Sequence, residues 1–314
     1  MQCARARRPH RSRIWSSSFT VAGLAAVLTS LAVGSPASAA TLERVKQAGK
    51  ITLGYRADAR PFAFRDESGN AAGYAVALCQ KIAEQVKAEL GLSTLAVEWS
   101  PVTVGDQFRA VQENKIDLLC GVDETLSGRK DVDFSIPVFP GGIGALLRAD
   151  APAGLQEVLL GRQSSAPIWR GSPAQVIEKQ VFSVVAGTPS EAWLARQLDK
   201  FQLTAKVIPV DGYDAGIRRV VDRSANVFFA DRSILLDAAT RSPSAGDLTV
   251  LDRLFTYGPL ALALARGDED FRLLVDKTLS QFFRSENFHG LYVKWFGQPG
   301  ESAVMFFRLS ALPE

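Results

Sequence analysis

The residues best suited to chemistry gather in one stretch, Asp117-Leu-Leu-Cys-Gly-Val-Asp-Glu-Thr-Leu-Ser-Gly-Arg-Lys-Asp-Val-Asp-Phe-Ser135. An apolar strand over 116–120 empties there into a polar loop carrying Gly121, Asp123, Thr125, Ser127 and Arg129. In an open α/β sheet, ligands sit outside the carboxyl ends of strands, where backbone N–H groups and short side chains converge. Such a loop can hold a small polar molecule, although an ordinary connection would have the same look. Two later places offer similar chemistry. Asp231 closes the apolar run 226–230, as a ligand contact or as the N-cap of a following helix. The turn Gly187-Thr-Pro-Ser190 opens a helix over 191–198, so Thr188 or Ser190 can cap it and leave N–H groups that favour an anion.

Catalysis has few candidates. Beyond the first 39 residues the sole histidine is His289, in Phe288-His-Gly290. Asp123, Asp231 and Glu124 could act as paired carboxylates in a closed cleft. No motif supports that role and no cluster has metal-ligand spacing, so the expectation is no catalytic residue, no metal and no cofactor.

The elements that must position these residues alternate. A helix over 42–50 precedes a strand over 51–55, a loop closed by Arg60-Pro-Phe-Ala-Phe64, and turn chemistry in Asp66-Glu-Ser-Gly-Asn70. Val76, Leu78, Ile82, Val86 and Leu90 recur at helical spacing; 95–99 alternates as a strand, and Phe108, Val111 and Ile116 lead through another helix into 116–120. Strand, helix, strand, helix, strand predicts a parallel sheet. The run 134–147, broken by Pro137, Pro140, Gly141, Gly142 and Gly144, suits a hinge between two bodies. Residues 152–177 read as a helix and a Ser/Pro/Gly-rich surface excursion. The same grammar then repeats: strands 182–185, 205–209 and 226–230 around helices 191–198 and 214–221. A return strand over 260–264, an amphipathic helix over 271–283 and the segment 290–297 lead to a tail.

The 314 residues, 47% hydrophobic and 22% charged, are ordinary for a globular protein of one or two domains. The formal net charge of +3 conceals an asymmetry, because Arg5, Arg7, Arg8, Arg11 and Arg13 have no acidic neighbour before Glu43. Setting those five aside leaves 31 basic against 33 acidic residues, a net of −2. That body offers no electrostatic footprint for nucleic acid. The basic start, an apolar core over 21–33 and Ala37-Ser38-Ala39 compose a secretory signal peptide over 1–39. The core is short beside the roughly 20 residues of a membrane span. Export would place Cys79 and Cys120 in an oxidising compartment, where we expect a disulfide; two buried thiols are the alternative.

One family shares these blocks in this order: Arg60-Pro-Phe-Ala-Phe64, Gly73-Tyr74, Lys115-Ile-Asp117, Val132-Asp-Phe-Ser135, Gly187-Thr-Pro-Ser-Glu191, Phe229-Ala-Asp231 and Tyr292-Val-Lys-Trp-Phe-Gly297. Over roughly 41–298 the chain resembles the family 3 periplasmic solute-binding proteins that deliver polar amino acids to ABC transporters. The resemblance implies an α/β fold of the type II periplasmic-binding-protein kind, two α/β lobes joined by a two-strand hinge. Lobe 1 would comprise 40–139 and 260–314, and lobe 2 would comprise 140–259. It implies a monomer in the periplasm, a small amino-acid-like ligand, an inner-membrane permease as partner, and hinge rotation near 139–142 and 257–259. Asp231 would pair with a ligand amine, Thr188 and Ser190 would bind a carboxylate, and Phe62 would wall the site. The family's carboxylate-binding Arg falls at Gly128, so Arg129 or Arg56 would have to supply the charge. Asp123 stands where the family has Ser or Thr, and Ala59, Val104, Ala75 and Ala77 also depart from its pattern. The rival functions are a dehydratase-like cleft enzyme of the same fold and a ligand-sensing subunit for a membrane receptor.

Overall fold

The structure, a computed structural model, describes residues 40–162 and 173–313. The expected signal peptide over 1–39 and the centre of the expected Ser/Pro/Gly-rich excursion lie outside the described residues.

The chain begins with helix α1 (Thr41–Ala48), strand β1 (Lys50–Arg56) and three short strands, β2 (Asp58–Ala59), β3 (Ala63–Arg65) and β4 (Ala71–Ala72), which pair among themselves. Helix α2 (Tyr74–Glu89), β5 (Ala96–Val102), α3 (Gln107–Gln112), β6 (Leu118–Asp123) and β7 (Asp133–Phe134) follow. The second body starts at β8 (Ile143–Arg148) and continues with α4 (Ala153–Leu160), α5 (Pro173–Glu178) and β9 (Val181–Val185). Next come α6 (Pro189–Lys200), β10 (Lys206–Val210), α7 (Tyr213–Val221), β11 (Val227–Asp231), α8 (Arg232–Arg241) and β12 (Leu248–Val250). The chain then returns through β13 (Leu260–Leu264) to α9 (Glu269–Phe283), α10 (Glu286–Phe296) and α11 (Glu301–Ser310).

Two five-stranded sheets result, ordered β5-β1-β6-β13-β7 and β10-β9-β11-β8-β12. In each, three strands are parallel, as their helical crossovers require. The returning strands β13 and β8 pair antiparallel with β6 and β11, so the sheets are mixed where the sequence pattern suggested parallel ones. Near-continuous apolar runs are what strands covered on both faces need. Along β6, Leu118 and Cys120 face one core, with α2 and α9, while Leu119 and Val122 face another, with α3. Along β11, Phe229 joins Phe182, Trp193 and Phe255 on one face, and Phe228 joins Ile217, Val220 and Leu235 on the other. Each such fully buried side chain contributes about 1.5–3 kcal/mol relative to exposure. Cys79 on α2 and Cys120 on β6 are joined as a disulfide across the first of these cores.

Two segments connect the bodies side by side. Leu260 N–H donates to Phe139 O (2.9 Å), Val138 N–H to Leu260 O (2.7 Å) and Gly258 N–H to Gly141 O (3.0 Å). Gly141 is required there, because a Cβ would fall 2.4 Å from Leu260 and 2.7 Å from Gly258 O. The stretch after 297 is no loose tail. In α11, Phe307 is buried against Phe283 and Phe288. The end of the helix is tied back by Arg284, which donates to Leu312 O (2.6 Å), and by Leu312 N–H donating to Ser280 Oγ (3.1 Å).

Candidate functional site

Strand ends from both sheets face one cavity of about 600 Å³. From the first sheet come Arg56, the last residue of β1, and Asp123, the last of β6. From the second come Asp231, the last of β11, and the Gly187-Thr-Pro turn after β9. Phe62 walls the first side; Tyr213, at the start of α7, and Arg196, on α6, wall the second. A smaller adjoining cavity of about 200 Å³ shares Asp123, Thr188, Arg196, Tyr213 and Asp231 and adds Ser190. Thus Asp231, Thr188, Ser190, Asp123, Arg56 and Phe62 are drawn together from distant parts of the chain.

Asp231 has two jobs at once. As N-cap of α8 its Oδ1 accepts from Ser233 N–H (2.8 Å) and Ile234 N–H (3.3 Å), and its Oδ2 accepts from Gly142 N–H (3.2 Å). Burial raises its pKa, and these three N–H groups oppose the rise. Asp123 is differently placed. Apart from its own backbone N–H, its carboxylate has no hydrogen-bond partner among the described residues. Burial first and the Asp231 charge second push it up to about 7, with Arg56 pulling the other way. Burial likewise raises Tyr213 above the ordinary phenol range.

The cations sort by commitment. Arg56, 8% exposed, is clasped by Asp58 through Nε–Oδ1 and Nη2–Oδ2 contacts of 2.9 Å each, and lies 5.7 Å from the Tyr213 ring centre. Arg129 lines neither cavity: its guanidinium pairs with Glu124 and lies over the Phe134 ring. The physical reason is the tight turn at Gly128. That residue is buried, its N–H donates to Thr125 Oγ1 (3.0 Å), and a Cβ would stand 3.0 Å from Phe134 and 3.2 Å from Phe108. Arg196 makes no ion pair among the described residues and borders both cavities, a placement the sequence reading missed. Thr188 does not cap α6 with its hydroxyl, which donates instead to Val185 O (2.6 Å). Glu191 reaches back to accept from Gly187 N–H (2.7 Å), fixing the turn.

The lobes also touch at the cleft edge. Arg60 Nε donates to Asp237 Oδ1 (3.2 Å), and Ile234 of the second body packs into the core around Phe62 and Tyr74.

Two lobes aiming their strand ends at a shared polar cavity define a cleft-type binding protein of the type II periplasmic kind. The chain belongs to the bacterial extracellular solute-binding proteins, family 3, whose family profile matches residues 51–298. It is 28% identical over 290 residues to the L-glutamate/L-aspartate-binding protein of Pseudomonas aeruginosa, covering 91% of this chain and 89% of that one. Among solved structures, the ancestral amino acid-binding protein AncCDT-1, a precursor of cyclohexadienyl dehydratase, superposes with a TM-score of 0.66 at 24% identity. That match covers 82% of this chain and all of the other. The cysteine-binding protein of Campylobacter jejuni gives a TM-score of 0.66 at 18% identity, with 83% and 96% covered.

Proposed function

We propose that the protein captures a small polar solute of the amino-acid kind in this cleft, in the periplasm, and presents the closed form to the permease of an ABC transporter. The observation that carries the reading is the meeting of Asp123 and Asp231, from strand ends of the two sheets, with Thr188, in the turn after β9, around one cleft. In this reading 1–39 is a cleaved leader, 40–139 with 260–314 is one lobe, and 140–259 is the other. The protein acts as a monomer and carries out no reaction. Asp231 takes the ligand amine, Ser190 at the start of α6, beside the Thr188 turn, donates to an oxygen-bearing group, and Phe62 and Tyr213 bound the volume. The relatives' names range from acidic amino acids to cysteine, which supports the amino-acid class and leaves the side chain open.

A thermal-shift screen of ligand-free protein against amino acids, amines and small organic acids tests this. A bound ligand at a hundredfold excess over its dissociation constant stabilises by about 2.7 kcal/mol. Asp231→Ala should abolish the response, and retention of the full shift in that variant refutes the placement of the pocket. Catalysis has one observation in its favour, the Asp123 pKa of about 7 beside a second carboxylate. Product formation from a prephenate-like substrate would establish it.

A further inference from the structure

The charged groups on the cavity wall do not balance. Arg56 and Asp58 neutralise each other through two contacts, and Glu124, which borders the adjoining cavity, is paired with Arg129 behind it. That leaves two carboxylates, Asp123 and Asp231, against one uncommitted guanidinium, Arg196, on α6. The Asp231 oxygens are partly satisfied by three N–H groups, whereas Asp123 receives only its own. A largely desolvated anion without a partner is costly, and among the described residues only the Arg56 charge and its own N–H lower that cost for Asp123.

We propose that the cleft selects a small organic cation, a primary amine or guanidinium compound of net positive charge, whose charged head lies between Asp123 and Asp231. This rests on the solute-binding reading and narrows its ligand class. An ammonium has three N–H donors and a guanidinium five, enough to serve both carboxylates from one position. A ligand of net negative charge would add a third anion to the wall and leave Arg196 as its sole free counter-charge. A cation seated beside Asp123 offsets both the burial and, after it, the Asp231 charge that push this carboxyl up to about 7, so binding expels a proton from the carboxylate pair. The groups facing Asp123 are Arg56 with Asp58 behind it, Tyr213 from α7, Asp231 from β11, Arg196 across the cavity and, around the adjoining cavity, Glu124 with its Arg129 partner and Tyr257. Tyr213, raised by burial, stays neutral between pH 6 and 8. The proton therefore comes from the two carboxylates.

The test is calorimetric titration of ligand-free protein with arginine, lysine, agmatine and putrescine, and with glutamine, aspartate and glutamate, at pH 6, 7 and 8. At least one of the cations should bind tenfold or more tighter than any neutral or acidic compound. Its affinity should rise with pH, and its apparent enthalpy should vary with the buffer in the sense of proton release. Asp123→Asn, shown folded by its circular dichroism and cooperative unfolding, should weaken that cation at least tenfold and remove the pH trend. Aspartate or glutamate binding tightest, affinity rising toward pH 6, or full cation affinity in Asp123→Asn would each overturn the inference while leaving solute capture intact. Failure of every compound in the set, and of the wider screen, would overturn both.

Discussion

Replacing Asp123 with asparagine isolates the cost of ionising this carboxyl inside the cleft, set by burial first and by the Asp231 charge second. The side chain keeps its shape and loses its ability to ionise. The folded protein holds the Asp123 proton more tightly than the unfolded chain does, about 7 against an ordinary 3.8. The stability from this group is therefore complete below about 3.8 and is lost as the pH rises through about 7. The gap corresponds to about 4 kcal/mol at most, of which roughly two-thirds falls between pH 5 and pH 8. Asp123 retains some contact with solvent, and screening reduces the expected change over that interval to about 2 kcal/mol. The stability of Asp123→Asn relative to the parent should thus rise by about 2 kcal/mol from pH 5 to pH 8, without ligand. Urea unfolding of both proteins at pH 5, 6, 7 and 8 measures this. Subtraction cancels other raised carboxylates, such as Asp276, whose pKa is lifted mainly by burial. A difference that stays flat across pH, or a variant that loses ground at pH 8, would refute the reasoning.

Two further outcomes concern the frame around the cleft. The Cys79–Cys120 bridge spans 41 positions in sequence, so Cys79→Ala with Cys120→Ala should lower unfolding stability by about 4 kcal/mol on a chain-entropy argument. An unchanged denaturation midpoint would count against it. Gly216→Ala would place a Cβ 2.3 Å from the Phe228 ring, where α7 meets β11. Overpacking of about 1–3 kcal/mol should exceed the gain of about 1 kcal/mol in helix propensity, lowering the melting temperature by a few degrees; a rise would show that the helix can shift away.

Much of the frame could be read in advance, because strands covered on both faces must be apolar throughout and their crossovers must show helical periodicity. The run 260–264 matches β13 residue for residue, and 182–185 and 226–230 fall within one residue of β9 and β11 at each end. What escaped depends on tertiary context. Strand β12 has three residues, too few to show a period, and it exists because β8 offers an edge. Helix α11 carries Phe306, Phe307 and Leu309 among polar residues, a helical signal that a reading of the end as a tail passes over. At the site, Asp231 was legible because a strand-ending acid before a helix suits a cap and a ligand contact alike. Arg196 was not, since a cation on the outer turns of an amphipathic helix looks like any solvated residue. Arg129 lies one position from where the family carries its cation, but the buried turn at Gly128 sends its side chain to Glu124. Sequence adjacency carries no information about that direction.

The paired crossing segments limit how the molecule can gape. Because Phe139 and Leu260 are bonded to each other, neither connector can swivel without carrying its neighbour, and sideways sliding would break both links. A door hung on two adjacent pins swings about a single line. Asp231, bonded to Gly142 immediately beside that line, would travel little during the swing, whereas Arg60 and Asp237, meeting at the cleft edge, would travel farther. The Asp231 carboxylate would stay nearly stationary while the mouth opens.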